Sequence, residues 1–488
     1  MCVIVLSEDK KVSRRRFLKA GAAVAGVAVV GAAAYYAGVQ SAAPPTQSAT
    51  VTQTASVAPT TSVRTISFDI PSSAVTGPLT FNVWPFRPDI EKNDIDTFDS
   101  QYSEQVNFAE IAGDYNAVMS TKLMAKAPMD VFLAQLFQLS KYWSAGWLET
   151  IDDLPTLAAY KKDVYPKYQD AFVMDGHDLG LMYYNGWRAV LTNQAILEKA
   201  GMADDYPKNW SEVYDKARAL KKGGYTDTPL GLWWSADYWI GAEQFEMEIK
   251  NDFGVELFDS NLEPVFDMSN AGEVLKRWVD AYNEGLVPKQ LPSMSWGDYY
   301  SFLFSGKAAY FTSESYNMAA LNDPKRSPYA GKCSLVPNPP NYAFGHYNTC
   351  AYVISKTRPR SDEQLSRAMR LLSFLGYRDK NGQLTVAKNF QVGAFLTSVF
   401  PEVAEDKDLA KTQAAQYLPY RGDEDYARYV KGFQEASYEK WWKAVWAQDF
   451  TIQLTERLPQ AIIGKVSISD TIDALRKDVD DLKKSYGQ

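Results

Sequence analysis

Cysteine and histidine are scarce in this 488-residue sequence, which has three cysteines and two histidines. No CxxC, HExxH or paired Cys/His spacing occurs, so the sequence argues against a zinc site, and we expect neither a metal nor a cofactor. Cys2 lies near the N-terminus. Cys333 and Cys350 are either two buried thiols, the interpretation that we favour, or a disulfide that closes a loop of about 16 residues and contributes roughly 3 kcal/mol.

Sequence signatures of serine hydrolases, of nucleotide binding and of nucleic-acid binding are also missing. The chain contains no Gly-x-Ser-x-Gly, P-loop or dinucleotide fingerprint. Its net charge is −8, and because the segment up to Lys19 carries six basic against two acidic side chains, the remainder carries −12. A phosphate backbone is repelled by this balance, so we expect no nucleic-acid partner.

The first 40 residues have the features of a targeting segment. Ser13-Arg14-Arg15-Arg16-Phe17-Leu18-Lys19 precedes an uncharged run from Ala20 to Val39, and the pair resembles a twin-arginine export signal. The alternative is an ordinary basic flank before a membrane helix. Either interpretation places the following chain outside the cytoplasmic membrane, and an uncleaved run is long enough to anchor it there.

Residues 41–65 differ in composition from everything that follows. From Ser41 to Val63 the chain consists of Ser, Thr, Ala, Pro, Gln and Val, without a charge or a glycine. Such a segment cannot bury a core, so we expect an extended, solvated stalk. The sequence therefore predicts an exported protein at the extracellular face of the cytoplasmic membrane.

The remaining residues alternate between strand and helix patterns. Leu79 to Trp84 alternates as a strand does, and helical spacing of apolar residues follows it. Gln105 to Ile111 predicts a second strand, Asp130 to Leu133 a third, and Leu136 to Leu148 a helix. This alternation favours an α/β fold with a largely parallel sheet, and the chain length favours two lobes.

Polar residues mark where later helices begin. Asn209-Trp210-Ser211-Glu212 predicts a capping box, in which Asn209 and Glu212 satisfy each other's backbone amides. Ser269 and Ser469 are predicted to cap two further helices.

Several short motifs together carry a family resemblance that extends from about Leu79 to the C-terminus. The chain resembles the family 1 extracellular solute-binding proteins of ABC importers. The motifs are Ala127-Pro128-Met129-Asp130-Val131, Ser144 to Glu149 followed by Ile151-Asp152-Asp153-Leu154, Leu191 to Leu197, Asn209 to Glu212, and Phe304-Ser305-Gly306-Lys307-Ala308-Ala309.

The resemblance implies a two-lobe periplasmic-binding-protein-like fold of type II, with hinged lobes and a ligand cleft between them. On this chain, lobe 1 would hold residues 79–190 and 345–399, and lobe 2 would hold residues 191–344 and 400–488. The ligand would lie in the cleft and be trapped when the lobes close.

The segment from Leu230 to Phe245 is rich in aromatic residues. Rings pack cores or stack on flat ligands. A sugar has an apolar C–H face and a rim of hydroxyls, so a sugar cleft mixes exposed rings with short polar groups. Trp234, Asp237 and Tyr238 fit that mixture, and we favour a cleft position for them over a core position.

The family resemblance implies cleft positions for further residues. These are Trp84 and Arg87 after the first strand, Asp114 and Tyr115 after the second, Asn185 and Trp187 at the crossover, Glu314 and Tyr316 after the Gly306-Lys307 strand, Tyr347 and Asn348 at the return crossover, and Trp442 among the last helices. Simpler roles remain open: Asp114 could cap a helix, and one of Trp441 and Trp442 should belong to the core.

The candidate set contains one arginine and few acids beside many rings, which favours a neutral ligand. We therefore expect a monomeric, non-catalytic receptor that captures a sugar or oligosaccharide and delivers it to an ABC transporter permease. A receptor of the same fold for a peptide, polyamine or organic acid is one alternative. A secreted glycoside hydrolase is another, because Asp114, Asp237 and Glu314 could approach one another.

Overall fold

Two five-stranded sheets form the framework of the protein. The computed structural model describes residues 65–70, 77–113, 115–234, 240–337 and 347–487. The strands are β1 (Leu79–Val83), β2 (Val106–Glu110), β3 (Val131–Gln135), β4 (Val173–Met174), β5 (His177–Asp178), β6 (Gly180–Leu181), β7 (Gly186–Asn193), β8 (Leu230–Gly231), β9 (Tyr310–Glu314), β10 (Cys333–Leu335), β11 (Tyr347–Asn348) and β12 (Cys350–Ile354). Strands β4 and β5 form a separate hairpin.

The first sheet has the strand order β2-β1-β3-β12-β6. Strand β1 runs parallel to β2 and β3, with Phe81 opposite Phe108 and Val131, whereas β12 runs antiparallel to β3. Every residue of β3 and β12 is buried, because helices cover both faces of these central strands. The three strands predicted from alternation are thereby confirmed, each within two residues of its predicted ends.

The second sheet has the order β10-β7-β9-β8, and β11 pairs with the start of β7. All eight residues of β7 are buried. Strands β7 and β9 are antiparallel, and the short β8 runs parallel to β9.

Among the described strands, the chain passes from one sheet to the other at two places. Strand β6 ends at Leu181 in the first sheet, and β7 begins at Gly186 in the second. The return lies between Asn348 in β11 and Cys350 in β12. The lobe boundary predicted after residue 190 falls inside β7, so the passage to the second sheet comes several residues earlier.

Helices pack on both sheets and connect their strands. They are α1 (Pro88–Tyr102), α2 (Tyr115–Met124), α3 (Leu136–Ser144), α4 (Leu157–Asp163), α5 (Gln194–Lys199), α6 (Trp210–Lys222), α7 (Ile240–Phe253), α8 (Ala271–Asn283), α9 (Trp296–Phe304), α10 (Met318–Leu321), α11 (Asp362–Gly376), α12 (Thr385–Ala394), α13 (Pro401–Ala404), α14 (Lys407–Tyr417), α15 (Asp423–Glu435), α16 (Ala447–Ile462) and α17 (Ile468–Ser485). Short 3-10 helices include Ser315–Asn317 and Lys440–Lys443.

The predicted helix caps are close but not all correct. Asn209 caps α6 by accepting a hydrogen bond from the Glu212 amide, while the Glu212 carboxylate accepts from the Lys208 amide instead of reaching Asn209. Helix α8 is capped by Asn270, because Ser269 instead donates to Asp267. Ser467, two residues before the predicted Ser469, caps α17. Helix α3 ends at Ser144, four residues before the predicted end.

The two cysteines of the folded body are buried free thiols. Cys333 lies on β10 of the second sheet and Cys350 on β12 of the first, so the disulfide alternative is wrong. The Cys350 thiol donates a hydrogen bond to the Tyr184 hydroxyl at 3.2 Å, and burial raises the pKa of this thiol to about 12.

The predicted export signal and all of the predicted stalk except Thr65 lie outside the described residues. Those assignments therefore stay predictions. In the part of the chain that the structure describes, no helix is both long and apolar enough to cross a bilayer.

Candidate functional site

The loops that follow β1 and β9 bring aromatic rings from the two sheets together. Phe86 follows β1, Tyr316 follows β9, and their ring centroids lie 5.4 Å apart with the rings edge to face. Both side chains are partly buried. We call the loop Trp84–Arg87 together with the 3-10 helix Ser315–Asn317 the sheet junction.

Trp84 extends the ring cluster on the first-sheet side of the junction. Its centroid lies 5.8 Å from that of Tyr115, the first residue of α2, in an edge-to-face contact. The Tyr115 hydroxyl donates to the Leu133 carbonyl at 2.6 Å, which fixes the ring. Trp84 is partly exposed, whereas Tyr115 is buried, so the indole of Trp84 is the accessible member of the pair.

Arg87 lies at the same loop but is engaged within the protein. Its guanidinium pairs with Asp89 at 2.7 Å and donates to the Gly393 carbonyl. The pairing with Arg87 lowers the pKa of Asp89. Arg87 adopts the left-handed conformation with φ 52° just before α1, and its guanidinium links the first turn of that helix to Gly393 of α12.

Glu314 belongs to a buried ion cluster on the second sheet. Arg188 of β7 pairs with Glu314 at 3.2 Å and with Glu243 of α7, and its guanidinium lies 4.0 Å from the Trp233 ring centroid. A buried charge is stable only when it is paired, which explains why Glu314 is held by Arg188. Arg188 and Glu243 were not predicted from the sequence, because nothing in their local pattern indicates that they meet, and Trp233, which belongs to the aromatic segment from Leu230 to Phe245, is buried here against Arg188.

Trp234 and Trp187 are both 1% exposed and lie inside packed regions of the second-sheet side. Trp234 packs on Trp278 of α8 with ring centroids 5.1 Å apart. Trp187 packs against Tyr429 at 6.1 Å and covers Gly432, where an added Cβ would come within 2.1 Å of the indole. The structure therefore places Trp234 in the core, contrary to the cleft position that we favoured from the sequence.

The crossing segments hold the remaining described candidates. Asn185 is fully buried. Its backbone N–H donates to the Thr397 carbonyl at 3.0 Å, and its side-chain amide donates to the Tyr168 hydroxyl. Tyr347 and Asn348 form β11 and pair with Trp187 and Gly186. Asp114, Asp237 and Tyr238 lie outside the described residues.

Trp442 lies between α3 and α7. Its ring centroid is 5.7 Å from that of Phe137, and its indole N–H donates to Glu246 at 3.1 Å. Trp441 donates to the same carboxyl at 2.6 Å. The Glu246 carboxyl is also hydrogen-bonded to Glu439, and burial raises the pKa of both acids, so the two share a proton. Both tryptophans are buried, and Trp442 contacts α3 of the first-sheet side.

A cavity of about 540 Å³ lies away from this aromatic cluster. Its lining includes Trp147 and residues 356–360, which follow β12. Because β12 runs antiparallel to β3, this cavity lies at the opposite end of the first sheet from the sheet junction. Among the described residues, no group of three or more His, Cys, Asp or Glu side chains is arranged to hold a metal ion.

Several solved structures are similar to this chain, and the names of three of them state a ligand. Maltose-bound MalE3 of T. maritima superposes with a TM-score of 0.70 at 17% identity, covering 83% of this chain and 99% of that one. A putative oligosaccharide periplasmic-binding protein from Synechococcus sp. MITs9220 gives 0.69 at 16% identity, covering 84% and 99%. A Thermotoga lettingae TMO solute-binding protein with bound α-D-tagatose gives 0.70 at 18% identity, covering 83% and 100%.

These superpositions confirm the predicted α/β class and two-lobe architecture, with one sheet in each lobe. No curated protein matches the chain in sequence. Residues 92–376, more than half of the chain, match the family model of the bacterial extracellular solute-binding proteins. The chain belongs to this family of bacterial extracellular solute-binding proteins.

Proposed function

We propose that the protein is the extracellular binding subunit of an ABC importer and captures a sugar or oligosaccharide at the sheet junction. The observation that carries the proposal is the contact between Phe86 and Tyr316, one ring from each lobe, with the partly exposed indole of Trp84 beside it. The two rings touch in this structure, so a sugar enters when the lobes separate, and rings placed on both lobes can then cover its two apolar faces as the lobes close again.

The charged groups near the junction favour an uncharged ligand. Among the described residues, Arg87 is already paired with Asp89, and Arg188 with Glu243 and Glu314, so neither arginine is available to an anionic ligand. A polyamine or organic acid would need counter-charges that are not already paired. A neutral carbohydrate needs only apolar faces and hydrogen-bond partners, so it fits the junction better than either charged class.

The relatives support the same class of ligand. MalE3 of T. maritima was solved with maltose bound, and the Thermotoga lettingae protein with α-D-tagatose. By analogy, this chain delivers its ligand to permease subunits. Residues 1–40 act as a twin-arginine signal that anchors the monomer at the extracellular face if it is not cleaved, and residues 41–65 form the stalk. Of the predicted lobe 1, residues 79–190 and 345–399, the first part then ends at residue 181, because the chain crosses to the second sheet at residues 182–185.

A thermal-shift screen against mono- and oligosaccharides, peptides, polyamines and organic acids tests the proposal. A ligand at 100 times its Kd stabilises the folded state by about 2.7 kcal/mol, so a sugar should raise Tm. The sugar should also be recovered intact after incubation, because a receptor does not cleave its ligand. A shift given only by charged solutes would contradict the proposal, and cleaved sugar would favour the hydrolase.

A further inference from the structure

The cavity of about 540 Å³ at the far end of the first sheet is lined by more cations than acids, although the protein as a whole carries a net charge of −8. Lys126, two residues after α2, supplies one cation, and residues 356–360, after β12, supply three more. Two acids, Glu149 and Asp362, also line the cavity. Cations from two separate segments thus converge on one concave site.

The protein neutralises only part of this positive charge. Arg360 is buried and pairs with Asp130 at 3.1 Å, and Arg358, whose side chain is 42% exposed, shares the same carboxylate at 2.9 Å. Lys126 and Lys356 are exposed, and among the described residues neither of them makes an ion pair. The four cations face three carboxyl groups, that of Asp130 included, so at least one positive charge is left uncompensated.

Lys126 has a backbone conformation that lysine seldom adopts. Its φ is 52°, in the left-handed region, and the Ala127 N–H donates to the Lys122 carbonyl at 2.9 Å across the end of α2. Glycine is the usual residue at such a helix end, because it has no Cβ to be strained there. A costly backbone conformation indicates function where the side chain supplies chemistry, and here the side chain supplies a cation to the cavity.

An aromatic wall and the size of the cavity indicate an organic ligand. Trp147 lines the cavity and is partly exposed, and its carbonyl accepts from the Lys356 N–H at 2.6 Å, which ties its segment to the cationic loop. The volume lies within the range of about 300–1,000 Å³ that is typical of small-molecule sites. A bare anion would fill only a small part of it.

A phosphate ester satisfies these features together. Its oxygens can accept from an arginine fork and from more than one lysine, whereas a carboxylate offers only two oxygens. A phosphodiester carries a single negative charge, as each link of a nucleic-acid backbone does, which matches the uncompensated charge of the cavity. The organic part of the ester can then pack on the Trp147 ring.

The folded body is joined to the predicted stalk near this cavity. The first turns of α11 reach the cavity. Ser366 of α11 accepts from the Ser67 N–H at 3.3 Å, and Arg370, one turn further on, donates to the Phe68 carbonyl at 3.0 Å. Residues 65–68 therefore run along α11 from its cavity end. A phospholipid headgroup is for this reason as accessible to the cavity as a soluble ester is.

We propose that this cavity binds the phosphate group of an organic phosphate ester. Lys126, Lys356 and Arg358 hold the phosphate oxygens, and Trp147 contacts the organic part. The ester is either a soluble molecule or the headgroup of a phospholipid, which present the same chemistry. The site lies at the opposite end of lobe 1 from the sheet junction, so the inference does not rest on the proposed sugar ligand.

Calorimetric titration of the full chain in a non-ionic detergent tests the site with inorganic phosphate, glycerol 1-phosphate and glycerophosphoglycerol, the soluble headgroup of phosphatidylglycerol. We expect both esters to bind, and inorganic phosphate to bind more weakly because it does not contact Trp147. Lys126→Gly and Arg358→Gln should each lower the ester affinity about tenfold, the effect of one charge-assisted hydrogen bond. Tm of Lys126→Gly should equal or exceed that of the wild type, because glycine suits φ 52°.

Titration of glycerol 1-phosphate into the full chain mixed with lipid vesicles distinguishes the two sources of the ester. If the site takes a lipid headgroup, phosphatidylglycerol vesicles should abolish the ester binding seen in detergent, because the lipid competes for the cavity. Equal affinity in phosphatidylglycerol and phosphatidylcholine vesicles identifies a soluble ester. Both results support a phosphate-ester site.

Lys162→Gln is the matched control. Lys162 is an exposed lysine of α4 in the same lobe, and the adjacent Asp163 accepts from the Tyr377 hydroxyl at the C-terminal end of α11, away from the cavity. Its ester affinity should match that of the wild type. Equal losses in Lys126→Gly and Lys162→Gln would overturn the inference. The absence of ester binding, or equal affinity for inorganic phosphate and both esters, would overturn it as well.

Discussion

Phe86 and Tyr316 meet edge to face at 5.4 Å, although one follows the first strand of the first sheet and the other follows β9 of the second. The contact joins the two lobes at the point where the carboxyl ends of their strands approach each other. Gly186 lies beneath it, where an added Cβ would be 3.4 Å from the Tyr316 ring. The crossing strand is therefore packed directly against the ring that we assign to ligand binding.

Replacing Tyr316 with alanine should weaken sugar binding more than it weakens the fold. The ring is partly exposed, and its removal takes away one stacking face, so we expect affinity to fall by about tenfold or more. Titration calorimetry measures the affinity, and Tyr225→Ala is the control, because it removes a 46% exposed ring that precedes β8, at the opposite end of the second sheet from Tyr316. Unchanged affinity would remove Tyr316 from the site.

Trp234→Ala should weaken the fold more than it weakens sugar binding. Because this indole is 1% exposed and packs on Trp278, its loss leaves a cavity that costs about 3–5 kcal/mol of unfolding free energy. Urea unfolding measures that loss, and the sugar affinity of the folded variant should match the wild type. Weaker sugar binding with an unchanged free energy of unfolding would instead assign Trp234 to the ligand cleft.

Tyr316 and Trp234 show which features of the protein the sequence could predict and which it could not. Strand alternation and apolar spacing correctly predict β1, β2 and β3, because each pattern is contained within a few adjacent residues. The motif resemblance correctly predicts the family. Which face of a ring is covered depends on distant partners: Trp234 is buried by Trp278, which belongs to a helix that the local pattern around Trp234 does not specify.

Charge pairing shows the same limit. Arg188 and Glu243 are 55 residues apart, and neither stands in a motif. From the sequence, Glu314 is an acid close to the expected cleft, whereas in the structure its carboxylate neutralises Arg188. Local patterns fix elements, but the partner of a buried charge is set by tertiary packing.

The buried ion cluster predicts a large effect for Arg188→Met. This change leaves Glu243 and Glu314 buried without their cation, which should cost about 3–5 kcal/mol in urea unfolding. The triple variant Arg188→Met, Glu243→Gln, Glu314→Gln should recover most of that loss, since no charge is then left unpaired. Arg218→Met, which breaks an exposed pair with Glu284, should cost less than about 1 kcal/mol. Equal losses for the two arginines would contradict the buried assignment.

Glu91 on α1 gives the protein a pH-dependent stability. The residue is 2% exposed and its Oε2 has no hydrogen-bond partner. Burial, together with the charges of Glu110, Asp94 and Asp89, raises the pKa of Glu91 from 4.5 to about 10. The folded protein thus holds a proton that the unfolded chain releases. The stabilisation from this proton is complete below pH 4.5 and is lost as the pH rises towards 10.

Glu91→Gln should remove this dependence, because the amide is neutral at every pH. We expect the free energy of unfolding of the variant, relative to that of the wild type, to rise by about 1.4 kcal/mol for each pH unit between pH 7 and 9. Burial lowers the pKa of Lys167 to about 7, which contributes with the opposite sign over the same range, but it acts equally in both proteins. Urea unfolding at pH 7, 8 and 9 measures the difference, with the exposed Glu273→Gln as control. A difference that stays constant across this range would mean that Glu91 is already ionised at pH 7.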